Sequence, residues 1–317
     1  MTGLLRSPLA VAALAIVLAV FALADAPGGM SALGWVATLG AWAAAWRLVH
    51  LLASLRAAWG SGLRTRGLRL LVPVIFGLTL LFLWEAICTG AQVPGVILPA
   101  PSAIAARIAG SVPILWADFF QTFVKSVLSG YAIGVGAALL AALAVDRSDF
   151  LRRGLLPVGN FVAALPIIGI APIMVMWFGF DWQSKAAVVV VMVFFPMLVN
   201  AVEGLEAADR MQRDLMRTYA ATWGQTLWAL RLPAAAPFLF NGLKICSTLA
   251  LIGAIVAEFF GTPVVGMGFR ISTEVGRMNL DMVWAEIAVA ALAGSAFYGT
   301  LALIERRVTF WHPSQRN

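Results

Sequence analysis

Few side chains in this sequence could make or break a covalent bond. The only histidines are His50 and His312, and the only cysteines are Cys88 and Cys246. Two histidines give a Ser-His-Asp triad almost nothing to be built from. Two distant cysteines cannot cage zinc, and no disulfide is expected between them. Each cysteine lies in or beside an apolar run, where it reads as a small packing residue. A phosphate-cradling P-loop needs GxxxxGK[ST], but Lys125, Lys185 and Lys244 follow Val124, Ser184 and Leu243. Neither a metal nor a cofactor is expected. What remains is polar chemistry set sparsely in apolar surroundings. Glu258, Asn160 and Asn200 could line or gate a passage. Pro166 and Pro172 free backbone carbonyls at membrane depth, which is tolerable where they face a cavity or protein.

The elements that must hold these groups are membrane helices. Of 317 residues, 62% are hydrophobic and 12% charged, and the mean hydropathy is +0.92. That excess cannot hide inside a soluble core, so the chain faces a lipid bilayer. Twelve Trp and 29 Gly agree with interface anchoring and close helix packing. Eight apolar runs predict spans at about 8–24, 32–55, 68–88, 119–145, 157–180 (broken by Pro157, Pro166 and Pro172), 184–203, 237–260 and 282–304. With both ends cytoplasmic, inner segments hold fifteen Arg or Lys and outer segments four, which fixes the orientation by the positive-inside rule. The net charge of +7 is spent there rather than on a nucleic-acid surface. The first run, ending in ALADA, has a rival reading as a cleaved signal peptide. The expected fold is an all-α polytopic membrane protein. Residues 1–67 carry two N-terminal spans and a basic linker, 68–310 a six-span core, and 311–317 a cytoplasmic tail.

The loop between the sixth and seventh spans is the most informative segment. Over 204–233, Leu215, Met216, Tyr219, Ala220, Trp223, Leu227 and Leu230 recur at spacings of three and four. This predicts a helix with one apolar stripe, with Asp214, Arg213 and Arg217 largely off it. Pro233 and Pro237 then end it and begin the next span. Pattern alone leaves two readings open. The helix lies on the membrane surface, or it docks apolar face first into a partner's groove.

The segment resembles the "EAA" signature of ABC-importer permeases: an acidic residue, two Ala, a Gly and a closing Leu-Pro. Counting back from Leu232 and Pro233, Asp214 takes the place of the Glu, Leu215 and Met216 those of the Ala pair, and Ala220 that of the Gly. LWEAI (83–87) and VPGVILPAPSAIAARI (93–108) resemble the opening of permeases of the nitrate/sulfonate/taurine group. ALPIIGIAPIMVMWFGF (164–180), FFPMLVN (194–200), LKICSTLALIGAIVAEFFG (243–261) and GMGFRISTEVGRMNLDMVWA (266–285) resemble later parts of the same family, in order.

The resemblance implies a bacterial inner-membrane subunit of an ATP-driven importer, without ATPase activity of its own. Its expected partners are cytoplasmic ABC ATPases, a periplasmic or lipid-anchored substrate-binding protein, a second permease copy and the bilayer. It also implies that Asp214, Leu215, Met216, Arg217, Tyr219, Ala220 and Trp223 form the ATPase-coupling helix, about 213–224. A small residue at 220 would let backbones approach closely. The wording of 214–245 resembles the riboflavin or thiamine-precursor pyrimidine branch, so a vitamin or heterocycle is the first expectation and a sulfonate, taurine or nitrate the second. A stand-alone secondary transporter would want ionisable groups at mid-membrane or an internal repeat, and neither is evident.

Overall fold

The computed structural model describes residues 29–55, 63–163, 165–261 and 265–311. These fold into helices joined by short turns, in two compact units. One unit holds the described residues up to Gly110 together with Met278–Trp284. The other holds Ser111–Arg277 and the chain from Ala285 onward.

In the first unit, α1 (Ala32–Leu55) packs on α2 (Leu63–Gly90). The short α3 (Pro101–Gly110) follows. Its N-terminus is held by Glu85 of α2, whose carboxylate accepts from the Ser102 amide at 2.9 Å and its hydroxyl at 2.7 Å. Arg107 of α3 pairs with Asp281 at 2.8 Å, and the Trp84 and Trp284 rings meet edge-on, their centroids 4.8 Å apart. The glutamate of LWEAI is thus a helix cap.

The second unit is built around α7 (Trp182–Glu206), packed between α4 (Val112–Arg147) and α9 (Trp223–Glu258). α4 winds as a π-helix over Phe120–Val127 and α9 over Leu227–Arg231. Gly130 and Gly134, a GxxxG pair on α4, let the α4 and α7 backbones close up. A Cβ at Gly134 would sit 2.4 Å from Val193 Cγ2, and one at Gly130 would sit 2.6 Å from the Ala186 carbonyl oxygen. Membrane helices use small residues in this way because lipid gives apolar faces no reason to associate. The buried core at this seam includes Val127, Ala138, Val189, Val193, Met197 and Ala254. The remaining helices are α5 (Asp149–Ala163), α6 (Ile167–Phe178), α8 (Arg210–Thr218), α10 (Met267–Gly276) and α11 (Leu280–Val308).

Six helices among the described residues are long and apolar enough to cross a membrane: Ala32–His50, Val72–Gly90, Val112–Arg147, Trp182–Glu206, Trp223–Glu258 and Leu280–Val308. They match six of the eight expected runs. The run at 8–24 lies outside the described residues. The run at 157–180, expected to be broken by its prolines, is two helices, α5 and α6, divided at Pro166. A proline disfavours helical backbone in the residue before it and lacks the amide to continue the ladder. α6 has 12 residues, about 18 Å of helix against a hydrocarbon thickness of about 30 Å.

Candidate functional site

Two constellations stand at opposite ends of α9, near Trp223 and near Glu258. The first is the segment 209–231. Asp209 caps α8 by accepting from the Met211 amide at 3.3 Å. No residue of α8 is buried. Met211, Leu215 and Tyr219 are 75%, 55% and 77% exposed, and their spacing of four puts them on one face. Met216 is half-buried, and Asp214 and Arg217 form an exposed pair at 3.4 Å.

The helix stops at Thr218 rather than running to about 224. The reason lies at Ala220, whose φ is +51°. The Ala221 amide donates to the Met216 carbonyl at 3.0 Å and the Ala220 amide to the Arg217 carbonyl at 2.9 Å. This is a Schellman ending, in which the left-handed residue is usually glycine. The Gly of the resembled signature therefore has a backbone cause here: it marks the left-handed residue, and this chain keeps the turn with an alanine.

Beyond the turn, Thr222 and Gln225 form a capping box that starts α9. Trp223 is anchored inward. Its Nε1 donates to Asp146 at 3.1 Å, and the Arg147 guanidinium lies 3.9 Å over its ring. Asp146 also holds Arg231 through a hydrogen bond of 2.7 Å, and Leu227 is buried. The apolar stripe thus divides at the turn: Leu215 and Tyr219 face outward, whereas Leu227 joins the core. Behind α8 lies a cleft of about 630 Å³, lined by Asp146, Arg152, Glu206, Arg213, Arg217 and Arg231 among others.

The second constellation surrounds Glu258. Its carboxylate accepts from the Thr122 hydroxyl at 2.8 Å and from the Gly268 amide at 2.7 Å. The Thr122 hydroxyl oxygen accepts from the Met267 amide at 2.8 Å. Asp118 accepts from the Gly266 amide at 2.6 Å and from Arg270 Nε at 2.8 Å. Three consecutive amides at the head of α10 are therefore clasped by side chains of α4 and α9. Only glycine fits at two of these positions. A Cβ at 268 would stand 2.1 Å from the Ile255 carbonyl oxygen, and Gly266 has φ +146°. Lys185, also buried, donates to the Phe180 carbonyl. Among the described residues, neither carboxyl oxygen of the buried Glu286 has a hydrogen-bond partner. Outside the spans, burial opposes the charge of Arg270, but its bond to Asp118 and the surrounding carboxylates outweigh that and raise its pKa. The Gln121 amide and then the Trp182 amide hold the Asp181 carboxyl below its ordinary range.

Of the pathway candidates, Asn200 accepts from Asn241 at 3.1 Å and donates to the Pro196 carbonyl at 2.8 Å, so it ties α7 to α9. Pro166 is the N-cap of α6 and Pro172 lies within it. A small apolar cleft of about 120 Å³ runs along Leu165, Ile167 and Ile170 against α7. The side chain of Asn160 lies outside the described residues. Sequence reading missed Asp118, Thr122, Arg270 and Glu286. Asp118 stands one residue before the expected fourth span, and its partner Arg270 is 152 residues away, so no local pattern joined them. Among the described residues, no group of three His, Cys, Asp or Glu is placed to hold a metal ion.

The family model described as "binding-protein-dependent transport system inner membrane component" matches residues 134–310. A probable ABC transporter permease protein of Haemophilus influenzae is 30% identical, covering 73% of this chain and 94% of that one. The formylaminopyrimidine transport permease protein ThiX of Halalkalibacterium halodurans is 29% identical, covering 79% and 99%. The riboflavin transport system permease protein RibX of Chloroflexus aurantiacus is 30% identical, covering 77% and 90%. With its apolar spanning helices and this family match, the chain belongs to the binding-protein-dependent transport inner-membrane components, as a multi-pass permease subunit of an ABC importer.

Proposed function

We propose that this permease carries a vitamin or other heterocycle, riboflavin or a thiamine-precursor pyrimidine, and that a separate cytoplasmic ATPase drives it through α8. The observation that carries the ATPase reading is the exposed face of Met211, Leu215 and Tyr219 on a helix that buries nothing of its own. An amphipathic helix with such a face fits a partner's groove. Asp214, exposed beside it, sets the register by charge, while Arg217 lies on the opposite face.

The segment is also built to transmit force. The Asp146–Arg231 pair and the Trp223 anchor fix it to α4 and α9. When two ATPases close on ATP, the two coupling helices of a permease dimer move with them. α9 carries the shift to its far end, where the Glu258 clasp on α10 acts as the outer gate. Asn200, Asn160 and the stretch around Pro166 and Pro172 line the route, and a periplasmic or lipid-anchored binding protein delivers the solute. Both chain ends are cytoplasmic in this reading. Residues 68–310 are the permease core, and 1–67 an N-terminal addition with a further span at 8–24.

The names of two relatives, for a formylaminopyrimidine and riboflavin, favour the heterocycle. The second reading is a sulfonate or taurine importer. Its support is a putative aliphatic sulfonates permease of Bacillus subtilis, 26% identical, and a taurine permease of Escherichia coli, 27% identical. The ATPase reading is tested by copurification. Wild-type protein should bring an ATPase with it, and Leu215→Asp with Tyr219→Asp should lose it while still inserting into membranes. Retention of the ATPase by that variant would refute docking through this face. Thermal stabilisation of the cognate binding protein by a panel of vitamins, sulfonates and nitrate separates the two substrate readings.

A further inference from the structure

We propose that the arginine-lined cleft behind α8 is a binding site for the phosphate headgroup of an anionic phospholipid, held between the coupling helix and the ends of the spans. The proposal rests on the orientation and the ATPase docking proposed above.

Four guanidiniums, of Arg152, Arg213, Arg217 and Arg231, line the cleft against two carboxylates, Asp146 and Glu206. Both carboxylates are already engaged, Asp146 by Arg231 and Glu206 by Arg152. Arg217 has only the long, exposed contact with Asp214. Arg213 makes no ion pair among the described residues. Among the described residues, Arg213 therefore faces about 630 Å³ of open cleft with no anion of its own, and Arg217 with only an exposed, solvent-screened one. Guanidinium is the side chain that best matches phosphate oxygens, through paired N–H donors.

Position selects the source of the phosphate. Arg213 and Arg217 lie on the face of α8 opposite Met211, Leu215 and Tyr219, because two residues along a helix turn through about half a circle. The apolar face is left for the ATPase, and the basic face looks back toward the bundle. The other walls are the ends of three spans: Asp146 near the end of Val112–Arg147, Glu206 at the end of Trp182–Glu206, and Arg231 in the first turns of Trp223–Glu258. That is the level of the headgroups. Trp228, in the π-helical turn of α9, is 75% exposed at the same level, where tryptophans anchor at the bilayer interface. Basic pockets between span ends on the cytoplasmic side are where anionic headgroups bind. A lipid seated there would brace the coupling helix from behind.

The test uses the permease purified with its ATPase, placed in nanodiscs of phosphatidylcholine with increasing phosphatidylglycerol and read by native mass spectrometry. Retention of phosphatidylglycerol over phosphatidylcholine, on the order of one per permease copy, is expected. Arg213→Gln with Arg217→Gln should weaken that retention about 30-fold, roughly fivefold for each arginine near an anionic surface. Equal retention of the two lipids, or unchanged retention by the variant, overturns the proposal. Displacement of the lipid by millimolar inorganic phosphate alone would assign the cleft to a free anion and overturn the lipid source. ATPase association is scored in the same samples. Its absence everywhere refutes the docking reading while the lipid result still stands. Its loss from the arginine variant alone, in detergent without lipid, assigns the cleft to the ATPase and overturns the lipid site.

Discussion

Ala220 offers a sharp test, because its backbone and its side chain disagree. At φ +51° an L-residue pays roughly 1–2 kcal/mol for the crowding of Cβ against its own peptide. Ala220→Gly removes that cost but returns about 0.5–1 kcal/mol as extra freedom in the open chain. The net expectation is that the turn becomes more stable by about 0.5–1 kcal/mol, which lowers its open population two- to fivefold. Ala220→Val adds a branched side chain in the same left-handed conformation and should destabilise by about 1–2 kcal/mol. Ala220→Pro cannot reach a positive φ and also loses the 2.9 Å bond from the Ala220 amide to the Arg217 carbonyl, for about 3 kcal/mol or more. The segment is exposed, so limited proteolysis between 216 and 223 under fast-exchange conditions reads its opening directly. Cleavage should slow for Gly and rise for Val, then Pro, with the overall melting temperature nearly unchanged for Gly. Equal cleavage of the Gly, Ala and Val forms would refute the left-handed assignment and, with it, the reason given for ending α8 at Thr218.

Three further outcomes are expected. Gly134→Leu drives side-chain atoms into Val193 and Val190, and should cost about 2–3 kcal/mol, seen as a lower melting temperature in detergent. Asp146→Asn leaves Arg231 facing a neutral partner in a site where both side chains are 12% exposed. It should loosen the 219–231 segment by about 2–4 kcal/mol and reduce ATPase stimulation while the spans stay inserted. Asp181 has a lowered pKa, so its contribution is present above the ordinary carboxylate range and is lost as pH falls through the lowered value. Acidification below about pH 4 should therefore destabilise wild type more than Asp181→Asn, measured by melting temperature against pH.

What was legible in the sequence follows from what local pattern encodes. Apolar runs marked six spanning helices because lipid demands continuous hydrophobicity and a closed backbone ladder. Gly130 and Gly134 stand in the sequence as a GxxxG pair, a spacing that suits close helix packing, and α7 is what it packs on. The break in the run at 157–180 was legible in its prolines: Pro166 divides it, and α6 by itself is too short to span. The segment 209–231 was legible as amphipathic but not as divided, since the period of its stripe continues through a turn that depends on the φ of one residue, Ala220. The clasp at α10 was illegible for another reason. Asp118, Thr122, Glu258 and the amides of 266–268 come from three helices that only the tertiary fold brings together. Of that set Glu258 alone stood out, as an acidic residue near the end of an apolar run.

Reconstitution tests the central claim most directly. Purified permease in liposomes, supplied with its binding protein and labelled solute, should accumulate that solute against a gradient only when an ATPase partner and ATP are present. Leu215→Asp with Tyr219→Asp should abolish the accumulation. Concentrative uptake by the permease with no nucleotide-hydrolysing partner in the vesicle would contradict the account.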